Sequence, residues 1–463
     1  MKPSVESLRE EAQARLAAAS EPARGVLHVV HGHGGGTEHH ARALIDASRS
    51  VYRHYLVVAV GESWQIEEHG GGGAVRTFDF CRQPDETWPA FIGGLCATLR
   101  IGLIHLHNIS GARDGLIEAL ATLGLPYGYT AHDLSFACPT ILFLGADGRY
   151  CFEQTDAAVC GACLRAQPTF AHIDIEAWRA RHRALLAGAA FVIAPSRWVA
   201  SALERYFPGL SIDVIAHAAP GVWAMGSGES VPASTPVARE GPALPGDGVP
   251  TVAVLGAVGP DKGARQLERM AQIVRTEGFA VRFVLIGYMD VQHGPWQSED
   301  AVLTVHGRYD PRDLPALLAH YCVQLVAFPS AGPETFSFTL SETWAAGLPV
   351  IVPPFGALAE RVAGTGAGWL WNEAEWRDEA AMLARILELV GAANAEALGA
   401  AAARARGMPQ ATLVEMAGRT LALYDRTSAV TPAASRLRQT LPGRLLSRFT
   451  PARVRKALRS RLR

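Results

Sequence analysis

Two glutamates, Glu334 and Glu342, stand with seven residues between them in the stretch PETFSFTLSETWAAGLPV, residues 333–350. An apolar run, VQLVAFPS (323–330), precedes them; Gly347, Leu348 and Pro349 and a second apolar run follow. The pattern predicts a strand, a loop that carries Glu334, and a helix that carries Glu342 about two turns later. Gly and Pro then close that helix. In an open α/β sheet, ligands bind outside the carboxyl ends of the strands. A helix that starts there turns backbone N–H groups and a partial positive charge toward the ligand, which suits a phosphate. An ionised carboxylate only accepts hydrogen bonds and so suits hydroxyls. A molecule with phosphate in the middle and hydroxyl-rich groups on either side, such as a nucleotide-sugar, meets both needs. The spacing equally describes two solvated carboxylates at a helix start, where acidic residues are common.

Other residues are placed for related chemistry. Lys262 follows the run TVAVLGAV and opens the next helix, where a cation is mildly disfavoured by the helix dipole; an ammonium there neutralises a diphosphate. The glycine-rich loop HGHGGGT, with Gly34, Gly35 and Gly36, follows the apolar run GVLHVVH (25–31) and precedes a helix, so backbone approaches a ligand closely. Its spacing is not that of a dinucleotide fingerprint. His132 ends the run PYGYTAHD (126–133) at a strand terminus, where it is placed to donate or accept a proton. His107 ends GLIHLH (102–107) and is expected to line the same cleft, with His105 packed behind. Cys138, Cys151, Cys160 and Cys163 fall within 26 residues. They read either as a structural zinc site closed by four thiolates or as buried free thiols.

The elements that position these residues alternate strand and helix, which argues for parallel sheets. They divide the chain into an N-terminal helical extension (1–24), a first Rossmann-like domain (25–218) with a cysteine-rich insert (134–170), and a Pro/Gly-rich linker (219–250). A second Rossmann-like domain (251–425) and a basic tail (426–463) follow. The 463 residues fit two or three domains. The net charge of −1 gives no bulk attraction to nucleic acid. Residues 436–463 hold ten Lys or Arg and no acid, which leaves −11 on the rest. Arg interleaved with Leu, Phe and Val in this tail suits an anionic membrane surface. No apolar leader and no run of 18 apolar residues is visible, so the expected location is cytoplasmic, at the inner face of the plasma membrane.

The phrase around Glu334 and Glu342, continued by Gly356, Ala357, Leu358, Ala359 and Glu360, resembles the Glu-x7-Glu element of family 4 glycosyltransferases, retaining enzymes also called glycosyl transferases group 1. The resemblance implies the GT-B fold: two facing Rossmann-like domains with parallel sheets and an interdomain cleft. It implies that Glu334 binds donor-sugar hydroxyls, Glu342 the ribose, Lys262 the diphosphate, and that His132 is the active-site histidine. Gly34, Gly35 and Gly36 then lie near donor phosphate and acceptor. Ala257 departs from the family, most members of which have Arg there; Arg265, one turn beyond Lys262, is the expected substitute for it. The implied activity is hexosyl transfer, with retention, from a nucleotide-sugar to a glycan or lipid-linked acceptor in bacterial surface polysaccharide synthesis. The nucleotide-sugar is a co-substrate, and no cofactor is required for catalysis. A non-catalytic GT-B scaffold subunit, a nucleotide-sugar epimerase and a dinucleotide-dependent oxidoreductase remain as alternatives.

Overall fold

The computed structural model describes residues 25–31, 35–60, 63–70, 75–83, 85–108, 114–219, 241–290 and 292–430. The N-terminal extension, Gly34, most of the linker and the tail beyond residue 430 lie outside the described residues.

Short β-branched and aliphatic runs, bounded by Gly, Pro and polar residues, form fifteen strands among the described residues. The first sheet comprises β1 (Gly25–His31), β2 (Arg53–Val60), β3 (Ser63–His69), β4 (Arg76–Cys81), β5 (Ile101–Leu106), β6 (Tyr127–Thr130), β7 (Phe191–Ala194) and β8 (Ile212–Val214). Their order is β4-β3-β2-β1-β5-β6-β7-β8. The second comprises β9 (Thr251–Val258), β10 (Arg282–Met289), β11 (Trp296–Gln297), β12 (Leu303–Val305), β13 (Val323–Ala327), β14 (Val350–Val352) and β15 (Gly368–Leu370), in the order β11-β12-β10-β9-β13-β14-β15. The central strands pair in parallel and are buried on both faces, as helices on both sides of a sheet require.

Three strands break the parallel pattern. β3 and β4 form an antiparallel meander on β2, and β11 runs antiparallel to β12. Strand–helix alternation does not foresee the β3–β4 pair, because SWQIEEH carries charges that read as loop. In the folded chain Trp64 and Ile66 point inward, while Glu67 and Glu68 meet Arg42, Arg53 and Arg76.

Each sheet reverses its winding at one point, between β1 and β5 in the first and between β9 and β13 in the second. Ligands bind at such switch points. Lys262 follows β9 and Glu334 follows β13, so both flank the second switch point. Gly35 follows β1 and His107 follows β5, which flank the first.

Part of the expected linker is described. Residues 241–250 lie against the second domain, where Asp247 pairs with Arg282 and Leu244 packs on the core. The last helix, Leu413–Val430, returns to the first domain. There it packs on the helix Gly36–Ser48, and Tyr424 Oη lies 2.6 Å from His105 Nδ1. Tyr52 and Asp213 bond Asp425 and Arg426 of the same helix. Among the described residues no single helix is long and apolar enough to cross a membrane.

The return helix makes one prediction. Tyr424→Phe keeps the ring but leaves His105 Nδ1 buried without its partner. We expect a loss of about 1–3 kcal/mol, read as an earlier unfolding transition in urea. Wild-type stability would show that the bond does not hold the helix.

Candidate active site at the domain interface

The loop between β13 and the helix Phe338–Ala345 is held from below by Arg361, on the helix Gly356–Val362. Its guanidinium donates to the carbonyls of Phe336 (2.9 Å) and Ser337 (2.8 Å) and to Ser341 Oγ (2.7 Å). The same group lies over the rings of Phe336 and Trp344, and burial lowers its pKa to about 10. Ser337 accepts a positive φ of 73° and caps the helix through Leu340 N–H, a conformation that L-residues avoid unless their surroundings impose it. Glu334 O accepts from Ala357 N–H at 2.9 Å. Thr335 Oγ1 donates across the interface to His132 O at 2.7 Å.

The two glutamates have different environments. Glu334 is 23 % exposed and its Oε1 lies 3.6 Å from Lys262 Nζ. That neighbour, first of all, raises the Lys262 pKa, with burial opposing. Lys262 is half exposed, so the ion pair is screened and contributes little to stability. The turn that presents Lys262 is fixed by Gly263, at φ 93°, where a Cβ would meet Pro329 O at 2.2 Å. Ala331 N–H donates to Asp261 O and ties this turn to the Glu334 loop.

Glu342 is only 8 % exposed, and no hydrogen bond of its carboxyl is found among the described residues. Burial pushes its carboxyl up to about 7, which favours the neutral form, and a neutral carboxyl can donate as well as accept. Tyr309 is close enough for the Glu342 charge to raise its own pKa, after burial. Near Ala257 stands Tyr288, its register partner on β10, and Arg308 stacks on the Tyr288 ring at 4.3 Å. Arg308 is thus a cation in the neighbourhood left bare by Ala257. Arg265 is exposed on the first turn of the next helix, Ala264–Glu277, and no ion pair of its side chain is found among the described residues.

The first domain supplies the opposite wall. Gly36 packs under the ring of Phe338, where a Cβ would lie 2.9 Å from a ring carbon, and Gly35 adopts φ 82°. A side chain at position 36 would therefore push on the helix that carries Glu342. His132 is partly exposed, and both its ring nitrogens are taken up by other histidines. His217 Nε2 lies 3.2 Å from Nδ1, and His107 Nδ1 lies 3.2 Å from Nε2. The run continues inward from His107 to His28 (2.9 Å), His54 (2.9 Å) and Ser48 Oγ (2.9 Å). His107 is fully buried. It does not line the cleft as its strand-end position suggests; β5 turns it into the sheet, behind His132. Burial lowers the pKa of all these rings, to about 4 for His54 and about 3 for neighbouring His40.

The cysteine insert bridges the domains. Tyr150 packs on Phe355, and Phe152 on Trp376. Its four thiols do not converge on a zinc site, and no cysteine joins a metal-competent cluster among the described residues. Arg179 donates to Cys160 Sγ and to the carbonyls of Ala137, Gln154 and Thr155. Cys163 faces Gln167. The thiols are free, and burial raises the pKa of Cys138 and Cys151.

Sequence reasoning passed over Arg361, Thr335 and His217. The first is a lone Arg within an ordinary helix, and the other two act through contacts distant in sequence. Only the repeated strand-terminal histidines hinted at the buried run.

Residues 249–391 match the family model for Glycosyl transferases group 1. Sucrose-phosphate synthase from Thermosynechococcus elongatus is similar at 17% identity, with 88% of this chain and 100% of that chain covered and a TM-score of 0.56. HepE of Anabaena, solved in complex with UDP-glucose, is 15% identical over 88% of this chain and 100% of its own, with a TM-score of 0.54. The catalytic domain of starch synthase IV from Arabidopsis thaliana, bound to ADP and acarbose, is 13% identical over 88% and 99%, with a TM-score of 0.55. At these identities the likeness is one of fold. A search of curated protein sequences finds no match.

The environment of Glu342 makes a pH prediction. Its folded pKa lies above the ordinary 4.5, so below pH 4.5 it is neutral in both states and has no effect. As pH rises toward 7 the unfolded chain releases the proton first, and stability falls. Glu342→Gln should therefore be more stable than wild type at pH 8, by on the order of 3 kcal/mol at most, and equal to it near pH 4. Urea melts at the two pH values measure this. A gap that does not change with pH would contradict it.

Proposed function

We propose that this chain, which carries a Glycosyl transferases group 1 domain over residues 249–391 within a two-domain GT-B fold, is a retaining hexosyltransferase of family 4. The donor is a nucleotide-sugar and the acceptor a hydroxyl of a glycan or lipid-linked saccharide, in bacterial surface polysaccharide synthesis. One observation carries the reading: a cation and a carboxylate, Lys262 and Glu334, meet at 3.6 Å beside the winding reversal of the second sheet. Glu342 stands on the helix behind them, and His132 is tied to the Glu334 loop by Thr335. The UDP-glucose and ADP held by two structurally similar proteins belong to the same ligand class.

The donor diphosphate lies against Lys262 and the start of the helix Ala264–Glu277, with the Gly35–Gly36 turn opposite. The phosphate draws Lys262 from Glu334, which then accepts from sugar hydroxyls. Glu342, able to donate or accept at neutral pH, takes the ribose. As the bond from the anomeric carbon to the phosphate oxygen breaks, the developing charge meets donors already in place, an electrostatic form of catalysis. The acceptor oxygen bonds the anomeric carbon on the same face, and its proton passes to the leaving phosphate. His132 borders the sugar; with both ring nitrogens engaged, it acts by shape and dipole rather than by proton transfer. Ala257 favours one alternative, a non-catalytic scaffold, and Arg308 on Tyr288 weighs against it.

A thermal-shift panel of GDP-, UDP-, dTDP- and ADP-sugars tests the donor class. One nucleotide should raise the melting temperature selectively, and no response to any would reject the reading. With that donor, Glu334→Gln should lower turnover about 100-fold or more. Unchanged turnover would remove Glu334 from the site, and absence of any transfer by the wild type would favour the scaffold.

A further inference from the structure

The run of buried histidines has a direction that its hydrogen bonds determine. Ser48 Oγ–H donates to Leu44 O, so its oxygen accepts from His54 Nε2. A neutral imidazole has one N–H and one lone pair. His54 Nδ1 is then an acceptor and must receive from His28 Nε2. His28 Nδ1 in turn receives from His107 Nε2. His107 Nδ1 is left as a lone pair, aimed at His132 Nε2 at 3.2 Å.

A second observation points to the same place. His40, on the helix Gly36–Ser48, is buried, and its Nδ1 has no hydrogen-bond partner. The ring of His40 lies 4.8 Å from that of His132 and 5.5 Å from that of His107, between centroids. One ring nitrogen from each of His40, His107 and His132 falls within 4.8 Å of the others.

We infer that His40, His107 and His132 form a binding site for a divalent transition-metal ion that prefers imidazole, such as Zn²⁺ or Co²⁺. Zinc–nitrogen bonds of about 2.0–2.1 Å at tetrahedral angles set ligand nitrogens about 3.3 Å apart, close to the separation of His107 and His132. Neutral imidazole suits these metals. A metal-bound histidine ordinarily donates its other N–H to a fixed acceptor, which sets its tautomer and orientation. His107 does so through His28, His54 and Ser48. His132 has His217 Nε2 waiting at its Nδ1. Three imidazoles leave the fourth tetrahedral position for water. His132 figures in the donor reading too, but neither Glu334 nor Lys262 takes part here, and metal uptake is read without any nucleotide-sugar, so either reading can fail alone.

Full-length protein, stripped with EDTA and desalted, is titrated with CoCl₂ and followed by visible absorption, then with ZnCl₂. The expected result is one equivalent of Co²⁺ with a tetrahedral nitrogen-ligand spectrum, displaced by Zn²⁺. Metal content by mass spectrometry should give the same stoichiometry. His40→Ala, with its fold checked by circular dichroism, should lose the equivalent. His39→Ala, at the exposed neighbouring position, and Cys163→Ser should keep it. The inference is overturned if wild type takes up no stoichiometric ion, which would mean that the rings hold only protons. It is equally overturned if His40→Ala retains the equivalent, or if the spectrum carries thiolate charge transfer from the cysteine insert. Should His40→Ala fail to fold, His40→Phe takes its place, because a wild-type equivalent alone would not separate this site from His28, His105 and His107, whose ring nitrogens also lie within 4.8 Å of one another.

Discussion

The grip of Arg361 on the loop after β13 is the constraint on which the site depends. A guanidinium that burial has made harder to keep charged is retained because two backbone carbonyls, a serine hydroxyl and two aromatic faces receive it. Those bonds hold Ser337 in a backbone conformation it would not otherwise adopt. From that turn the helix starts that buries Glu342, and just before it Thr335 crosses to the His132 carbonyl. One interaction thus sets two carboxylates and a contact between domains.

The interface is built from several small contacts of different kinds. Besides Thr335, Glu360 accepts from the backbone N–H groups of Arg197 and Trp198 at a helix start, a favourable place for a carboxylate. Aromatic residues of the cysteine insert pack on Phe355 and Trp376. The insert, with Arg179 drawing its carbonyls together, gives the first domain a surface for the second. That accounts for the polar, glycine-containing segment without any metal at its thiols.

Much of this was legible in the chain. Apolar runs marked the central strands, and the strand–Glu–helix–Glu order placed Glu334 and Glu342 where they are found. Lys262, at a helix start where a cation is mildly unfavourable, was singled out for that misfit. What was not legible depends on register and on contacts between residues far apart. His28 lies opposite His105 across paired strands, and His54 reaches His28 from β2, which no single segment reveals. Strand-end position alone placed His107 at the cleft, yet the direction of its side chain, set by the sheet, buries it. Four nearby cysteines suggested zinc, but no cysteine joins a metal-competent cluster among the described residues, and Cys160 instead accepts from Arg179.

The division of labour between the glutamates is the central claim, and paired calorimetric titrations test it most directly. Wild type, Glu334→Gln and Glu342→Gln are each titrated with the selected nucleotide-sugar and with its free nucleoside diphosphate. The account predicts that Glu334→Gln weakens the nucleotide-sugar by at least ~10-fold while leaving the diphosphate unchanged, about 1.4 kcal/mol of sugar-specific binding. Glu342→Gln should weaken both ligands by the same factor. Equal weakening of both by Glu334→Gln, or a sugar-specific effect from Glu342→Gln, would contradict it.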